Sequence, residues 1–228
     1  MLPCRSRQIV FALASIVALT PWPAFAGGKL ALYATRMEPN GSDAKKFSST
    51  SWGGGIAAVV PLSSTHDLLA ITGGAEGVHM LGQTTEFIDT QTGLRVEQQT
   101  SQDYGRLFLG GRFGVHGIGF IRPHVGANLA FVIYGIGTDV VIPDDSDREN
   151  EIRQNLKSET RTAFGYDFNA GVDFNITNAI PVEIGARYLK SFDVPQQLGD
   201  GSVKISPEYL QIYFGIGIGF DFMRRIGD

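Results

Sequence analysis

Large apolar residues recur at every second position over long stretches of the chain, with glycine or polar residues between them. In the clearest run Leu210, Ile212, Phe214, Ile216, Ile218, Phe220 and Phe222 alternate with Tyr209, Gln211, Tyr213, Gly215, Gly217, Gly219 and Asp221. A period of two sustained over 14 residues predicts a strand with one apolar face. A second run sets Phe164, Tyr166, Phe168, Ala170, Val172 and Phe174 against Ala163, Gly165, Asp167, Asn169, Gly171 and Asp173. A third sets Val182, Ile184, Ala186 and Tyr188 against Glu183, Gly185 and Arg187. In a fourth, Ile121, Val125, Ala127, Leu129, Phe131 and Ile133 lie opposite Arg122, His124, Gly126 and Asn128. Weaker alternation marks Tyr104 to Val115, Leu68 to Leu81, Ser51 to Val60 and Lys29 to Met37, which completes a set of eight strands.

The predicted connections cover 38–50, 61–67, 82–102, 116–120, 138–160, 175–180 and 194–205, and they run long and short in turn. The short ones carry turn residues, such as Asn175-Ile176-Thr177-Asn178. The long ones are polar, with clusters such as Glu97-Gln98-Gln99 and Asp144-Asp145-Ser146-Asp147. An up-and-down barrel whose two rims face different compartments produces this alternation.

The first residues change the compartment. Arg5 and Arg7 precede an apolar run from Ile9 to Leu19, and Ala24-Phe25-Ala26 forms a small-residue cleavage pattern. This predicts a secretory signal peptide over 1–26 and a mature domain over 27–228. The single cysteine, Cys4, leaves with the leader, so disulfides and cysteine-based metal clusters are not expected. Without Arg5 and Arg7, 17 basic and 23 acidic residues remain, a net charge of −6, and no nucleic-acid partner is expected of so acidic a chain. The mature chain contains no apolar run of about 18 residues, so a membrane helix is not expected. Charged residues are only 18% of the chain, and glycine, 29 of 228, crowds the polar face of the strands. Long strands, an even count and a glycine-rich polar face favour a transmembrane barrel over a soluble sandwich. In lipid only a closed barrel satisfies the backbone of crossing strands.

On these residues the chain resembles a family. Gly171-Val172-Asp173-Phe174-Asn175-Ile176-Thr177-Asn178, Glu183-Ile184-Gly185-Ala186-Arg187-Tyr188 and the closing Gly215 to Phe222 look like the eight-stranded OmpA-like outer membrane barrels, including the OmpX, Ail and opacity-type groups. Such chains usually stop at a terminal aromatic, and here Met223 to Asp228 follow Phe222, which makes the assembly signal internal or imperfect. The expected fold is therefore an all-β, eight-stranded antiparallel up-and-down transmembrane barrel preceded by a signal peptide. Both termini and the short turns would face the periplasm of a Gram-negative-type cell, reached through the general secretory pathway. The resemblance implies outer membrane lipid, the barrel assembly machinery and periplasmic chaperones as partners. It also implies a structural or surface-interaction role through long extracellular loops that could bind a ligand. The alternatives are a narrow, porin-like pore for small solutes and a secreted lipocalin-like ligand-binding barrel.

The inward face would carry Glu76, Arg106, Arg112, Arg122, Asp167, Asp173, Glu183, Arg187 and Asp221. An eight-stranded barrel is filled by its own side chains, so these charges are expected to pair as a network that plugs the lumen. The lipid-facing set would include Phe164, Phe168, Val172, Leu210, Ile212, Phe214, Ile216, Ile218 and Phe220. Tyr104, Tyr134, Phe164, Tyr188, Phe192 and Phe222 are candidates for the aromatic girdles. No catalytic site, cofactor or metal is expected. No histidine is followed at the second position by serine, and His124 reads as a polar lumen or rim residue. The Asp144 to Asp147 cluster fits a solvated loop better than a defined cation site. Gly53-Gly54-Gly55 lacks the Gly-Lys-Ser/Thr of a phosphate loop.

Overall fold

The computed structural model describes residues 28–62, 65–80, 84–88, 95–116, 119–142, 152–177, 180–192, 194–198 and 201–219. The expected leader (1–26), the Asp144 to Asp147 cluster, Phe220, Asp221, Phe222 and the Met223 to Asp228 tail lie outside the described residues.

Eight long strands build a closed wall: β1 (Lys29–Pro39), β2 (Ser51–Pro61), β3 (Leu69–Met80), β5 (Arg95–Gly114), β6 (Ile121–Ile142), β7 (Ile152–Thr177), β8 (Ile180–Ser191) and β11 (Glu208–Gly219). Each pairs antiparallel with its neighbour in that order, and β11 returns to pair with β1, from Lys29↔Gly219 to Pro39↔Tyr209. The wall thus has no edge. Three small elements belong to the long connections. One is β4 (Thr84–Ile88), which pairs with β5, and another is the hairpin of β9 (Val194–Leu198) with β10 (Gly201–Ile205). The third is a short helix, α1 (Ser42–Phe47).

The burial pattern is that of a globular protein turned inside out. Leu32, Leu129, Phe164 and Ile216 point outward and are exposed, while Glu76, Arg106, Asp167 and Arg187 point inward and are buried. Some glycines make room for a neighbour's ring. A Cβ on Gly185 would overlap the Tyr213 ring and hydroxyl, so this position needs glycine.

The structure departs from the sequence expectation at the long-connection end. Strands β5, β6 and β7 run to 20, 22 and 26 residues, well past the roughly 9–11 that a tilted crossing needs. Much of the connections expected over 82–102 and 138–160 is therefore strand. β3 stops pairing with β5 at Met80↔Gln102, and β7 takes up β8 only from Gly165↔Ser191. Beyond those points β4, β5, β6 and β7 continue together as a four-stranded sheet standing above the barrel. Its sequence is mostly polar and lacks long alternation.

A second correction concerns the aromatics. Tyr104 and Tyr134, expected in a girdle, are 3% and 1% exposed inside the barrel, with their rings edge-to-face at 5.5 Å. Their even numbering places them on the same faces as Arg106 and His124. With Met37, Val78, Met80, Val132 and Tyr209 they form an apolar plug at the long-connection end. Ala44 of α1 packs onto this plug, and the charged interior lies below it. Phe164 and Phe192 do lie exposed on the outside, and Tyr188 is half-buried there.

Candidate functional site: the charged interior

The interior below the aromatic plug holds two linked clusters of charge. In the upper one Glu76 on β3 is the hub. It accepts from the Tyr33 hydroxyl at 2.9 Å, from Gln211 Nε2 at 2.6 Å and from Arg187 Nη1 at 2.9 Å. Arg106 Nε lies 3.4 Å from its Oε1. Arg106 also donates from Nη1 to Asp167 at 2.7 Å, and Asn128 and Asn169 donate to Asp167 at 2.7 and 3.1 Å. The guanidinium of Arg187 sits 4.8 Å from the Tyr213 ring centre, and that of Arg106 sits 4.5 Å from Phe108. The alternating inward positions of five strands, β3, β5, β6, β7 and β8, supply most of these charged and amide groups. The two-residue period of each strand therefore brings them to one level of the lumen.

The lower cluster lies toward the short turns. Lys29 Nζ donates to Asp173 and, at 2.6 Å, to Glu183. Arg112 Nη2 donates to Glu183 at 2.9 Å, and His124 Nε2 lies 3.2 Å from the same carboxylate oxygen. Arg122 stands 3.9 Å from Asp173, and its Nη1 donates to the His116 carbonyl in the β5–β6 turn. The ring of His116, half-buried in that turn, is pushed down to about 4 by burial and by the Arg112 charge.

Of the nine residues expected at the lumen, Glu76, Arg106, Arg112, Asp167, Asp173, Glu183 and Arg187 are buried in these two clusters. Arg122 sits at their short-turn end, its side chain 12% exposed, and Asp221 lies outside the described residues. Of the expected lipid-facing residues, Phe164, Phe168, Leu210, Ile212, Phe214, Ile216 and Ile218 are exposed on the outside and Val172 is partly so. Lys29 is an interior charge that the sequence expectation omits. It is the first residue of its strand, where alternation has no preceding position to set the phase. Ala31, Tyr33 and Thr35, which follow at the same parity and are buried, carry the missing signal.

The arrangement is built to neutralise charge. The ligand atoms of His124, Asp173 and Glu183 lie within 4.8 Å of one another, a spacing suited to a divalent cation. The Lys29 ammonium, bonded to both carboxylates, takes that cation's place. A cavity of about 10 Å³ separates the two clusters, lined among others by Tyr33, Phe108, Arg112, Asn169, Arg187 and Tyr213. It has room for about one water-sized particle, far less than a hydrated solute requires.

No protein-family profile matches the chain, and no curated protein sequence matches it. Solved structures do. Neisserial surface protein A superposes with a TM-score of 0.54 at 12% identity, over 85% of this chain and 97% of that one. Ail, the attachment invasion locus protein of Yersinia pestis, gives 0.45 at 13% identity, over 85% and 99%. A major outer membrane protein from Thermus thermophilus gives 0.46 at 10% identity, over 84% and 98%. With eight strands closed in chain order, apolar side chains outside and paired charges within, the chain has the fold of the eight-stranded outer membrane barrels represented by Neisserial surface protein A.

Proposed function

We propose that this chain is an integral outer membrane protein of a Gram-negative-type bacterium, a plugged barrel that anchors a surface-exposed interaction sheet. The observation that carries the reading is the extension of β4, β5, β6 and β7 beyond the closed wall. A barrel needed only to span lipid would end its strands at the rim. Here the sheet continues, and its β4 edge exposes Phe87 and Ile88. A strand at the end of a sheet offers unpaired backbone groups to a partner, and loops and extensions on a rigid scaffold are where binding concentrates.

The role is non-enzymatic. The interior carboxylates Glu76, Asp167 and Glu183 are held by arginine, lysine and amide donors, an arrangement that suits a structural plug. The narrow-pore alternative requires an opening, whereas the space between the clusters admits about one water-sized particle. The lipocalin-like alternative requires an apolar interior and a polar exterior, and the chain has the reverse over most of the wall. Export by a cleaved leader, passage with periplasmic chaperones and insertion by the barrel assembly machinery complete the proposal.

The test is electrophoresis of the outer membrane fraction with and without boiling, combined with protease treatment of intact cells. A heat-dependent mobility shift, with cleavage confined to the extended sheet and its loops, is expected. A soluble periplasmic or secreted protein without the shift would overturn the reading.

A further inference from the structure

We propose that the lower cluster modifies itself, joining the Lys29 side chain to the Asp173 side chain through an intramolecular amide bond. Lys29 Nζ donates to Asp173 Oδ1 and, at 2.6 Å, to Glu183 Oε2. The three side chains are 9%, 3% and 8% exposed. Asp173 and Glu183 lie directly opposite each other on β7 and β8, so two carboxylates meet one nitrogen. An amine and a carboxyl carbon are thus held in contact, with a second carboxylate beside them. Such contact turns a slow bimolecular condensation into a unimolecular one. Exclusion of water favours the neutral amine and acid over the ion pair and opposes hydrolysis of the product.

The surroundings divide the roles. On Glu183 Oε1, Arg112 Nη2 donates at 2.9 Å and His124 Nε2 lies 3.2 Å away, which holds this carboxylate as the anion that a proton relay requires. The arginines nearest Asp173, Arg112 and Arg122, stand 3.9 Å from Oδ2, beyond hydrogen-bond reach, so Asp173 is the carboxyl that reacts. Nζ passes one proton to Oδ1, which yields a free amine and a carboxylic acid. The amine lone pair then forms the Nζ–Cγ bond. Glu183 Oε2 takes a second proton from Nζ and returns it to Oδ1. The Cγ–Oδ1 bond breaks and Oδ1 departs as water. Nζ keeps its third proton as the amide N–H, so an ammonium and a carboxylate become an amide and one water, with no change of net charge and no redox step. While Cγ is tetrahedral, negative charge gathers on Oδ2, the oxygen that faces the two guanidinium groups. The bond ties β1 to β7 across the lumen and links residues 144 apart in the chain, which restricts the unfolded state. It forms once per chain, without turnover, and does not depend on what the surface sheet binds.

The test is mass spectrometry of the full chain in two states. Chain collected unfolded in urea should carry its full mass. After refolding into detergent micelles, followed by the heat-dependent mobility shift, it should be lighter by one water, and a tryptic digest should contain one branched peptide joining Lys29 to Asp173. Glu183→Gln keeps the size of the relay residue and should slow the loss of water by about a hundredfold or more. Because Glu183 also pairs with Arg112, Lys29→Arg is the second variant. It keeps the cation and should fold, show the mobility shift and stay at full mass. A refolded, heat-shifting wild-type chain at full mass, with Lys29 and Asp173 in separate peptides, overturns the inference. So does a branch at Glu183, loss of water in Lys29→Arg, or loss at the wild-type rate in Glu183→Gln.

Discussion

Arg106 on β5 reaches past β6 to Asp167 on β7, its Nη1 2.7 Å from Oδ2, and neither side chain keeps any exposure. The pair is held on both sides, to Glu76 through the arginine and to Asn128 and Asn169 through the aspartate. Removing the Asp167 charge leaves Arg106 and Arg187 to share the single carboxylate of Glu76 in the lumen. Asp167→Asn keeps the shape and removes the charge, and should lower stability by about 3–5 kcal/mol, the range for breaking a buried pair. Arg106→Met with Asp167→Leu should lose less than Asp167→Asn alone, because that pair leaves no orphan charge of its own. Urea unfolding in detergent micelles followed by circular dichroism measures both.

The outward face makes the opposite demand. Ile216 and Phe168 lie in mid-strand and are 52% and 58% exposed. An arginine at either position should cost about 2–4 kcal/mol in a bilayer, whereas Phe192→Arg, just past the end of β8, should cost about 0–1 kcal/mol. If all three variants unfold alike in lipid vesicles, the outward face is not the lipid face.

Two glycines separate packing from chain flexibility. A Cβ on Gly185 overlaps the Tyr213 ring and comes within 2.7 Å of the Ala170 carbonyl, whereas a Cβ on Gly77 meets nothing within 4 Å. Gly185→Ala should destabilise by about 1–3 kcal/mol through overpacking. Gly77→Ala should be neutral or gain up to about 1 kcal/mol from the reduced freedom of the unfolded chain. The unfolding midpoint should fall below the wild-type value for Gly185→Ala and at or above it for Gly77→Ala.

His116 gives a pH dependence with a definite sign. Its folded value of about 4 lies below the ordinary 6.5 because burial disfavours the imidazolium. Below pH 6.5 the unfolded chain takes up a proton that the folded chain refuses. Stability attributable to this residue should therefore fall between pH 6.5 and about 4 and level off beneath. Ring resonances of His116 should stay in the neutral form at about pH 5 in a nuclear magnetic resonance titration. The acid limb of the stability curve should be shallower in His116→Asn.

The wall is legible in the sequence because each mid-barrel strand has different surroundings on its two faces, so Ile212, Phe214 and Ile216 alternate cleanly with Gln211, Tyr213 and Gly215. The same logic explains what stays hidden. Residues Arg95 to Ser101 belong to the extension beyond the closed wall, and no long periodicity betrays their strand. The inward face reads as polar throughout, yet Met37, Met80 and Tyr209 turn it apolar near the mouth. Alternation reports the face and not the medium at each height. The partners of the charges are not readable at all. Lys29 meets Asp173 and Glu183 only through the closure of β1 against β11, a relation between the two ends of the chain.

That closure gives assembly a natural order. Every other seam of the wall joins barrel strands that follow one another along the chain, and such neighbours can meet while the rest is still arriving. The β1–β11 seam joins the first strand of the chain to the last, and long-range pairings of this kind are slow to form. Lys29 travels on the first strand and its acceptors, Asp173 and Glu183, on β7 and β8. Until the seam zips, two carboxylates stand in an unfinished interior without their ammonium. The ion pair thus marks completion of the cylinder. A chain truncated before β11 would be left with β1 and β8 facing each other across a gap, its polar interior open to one side.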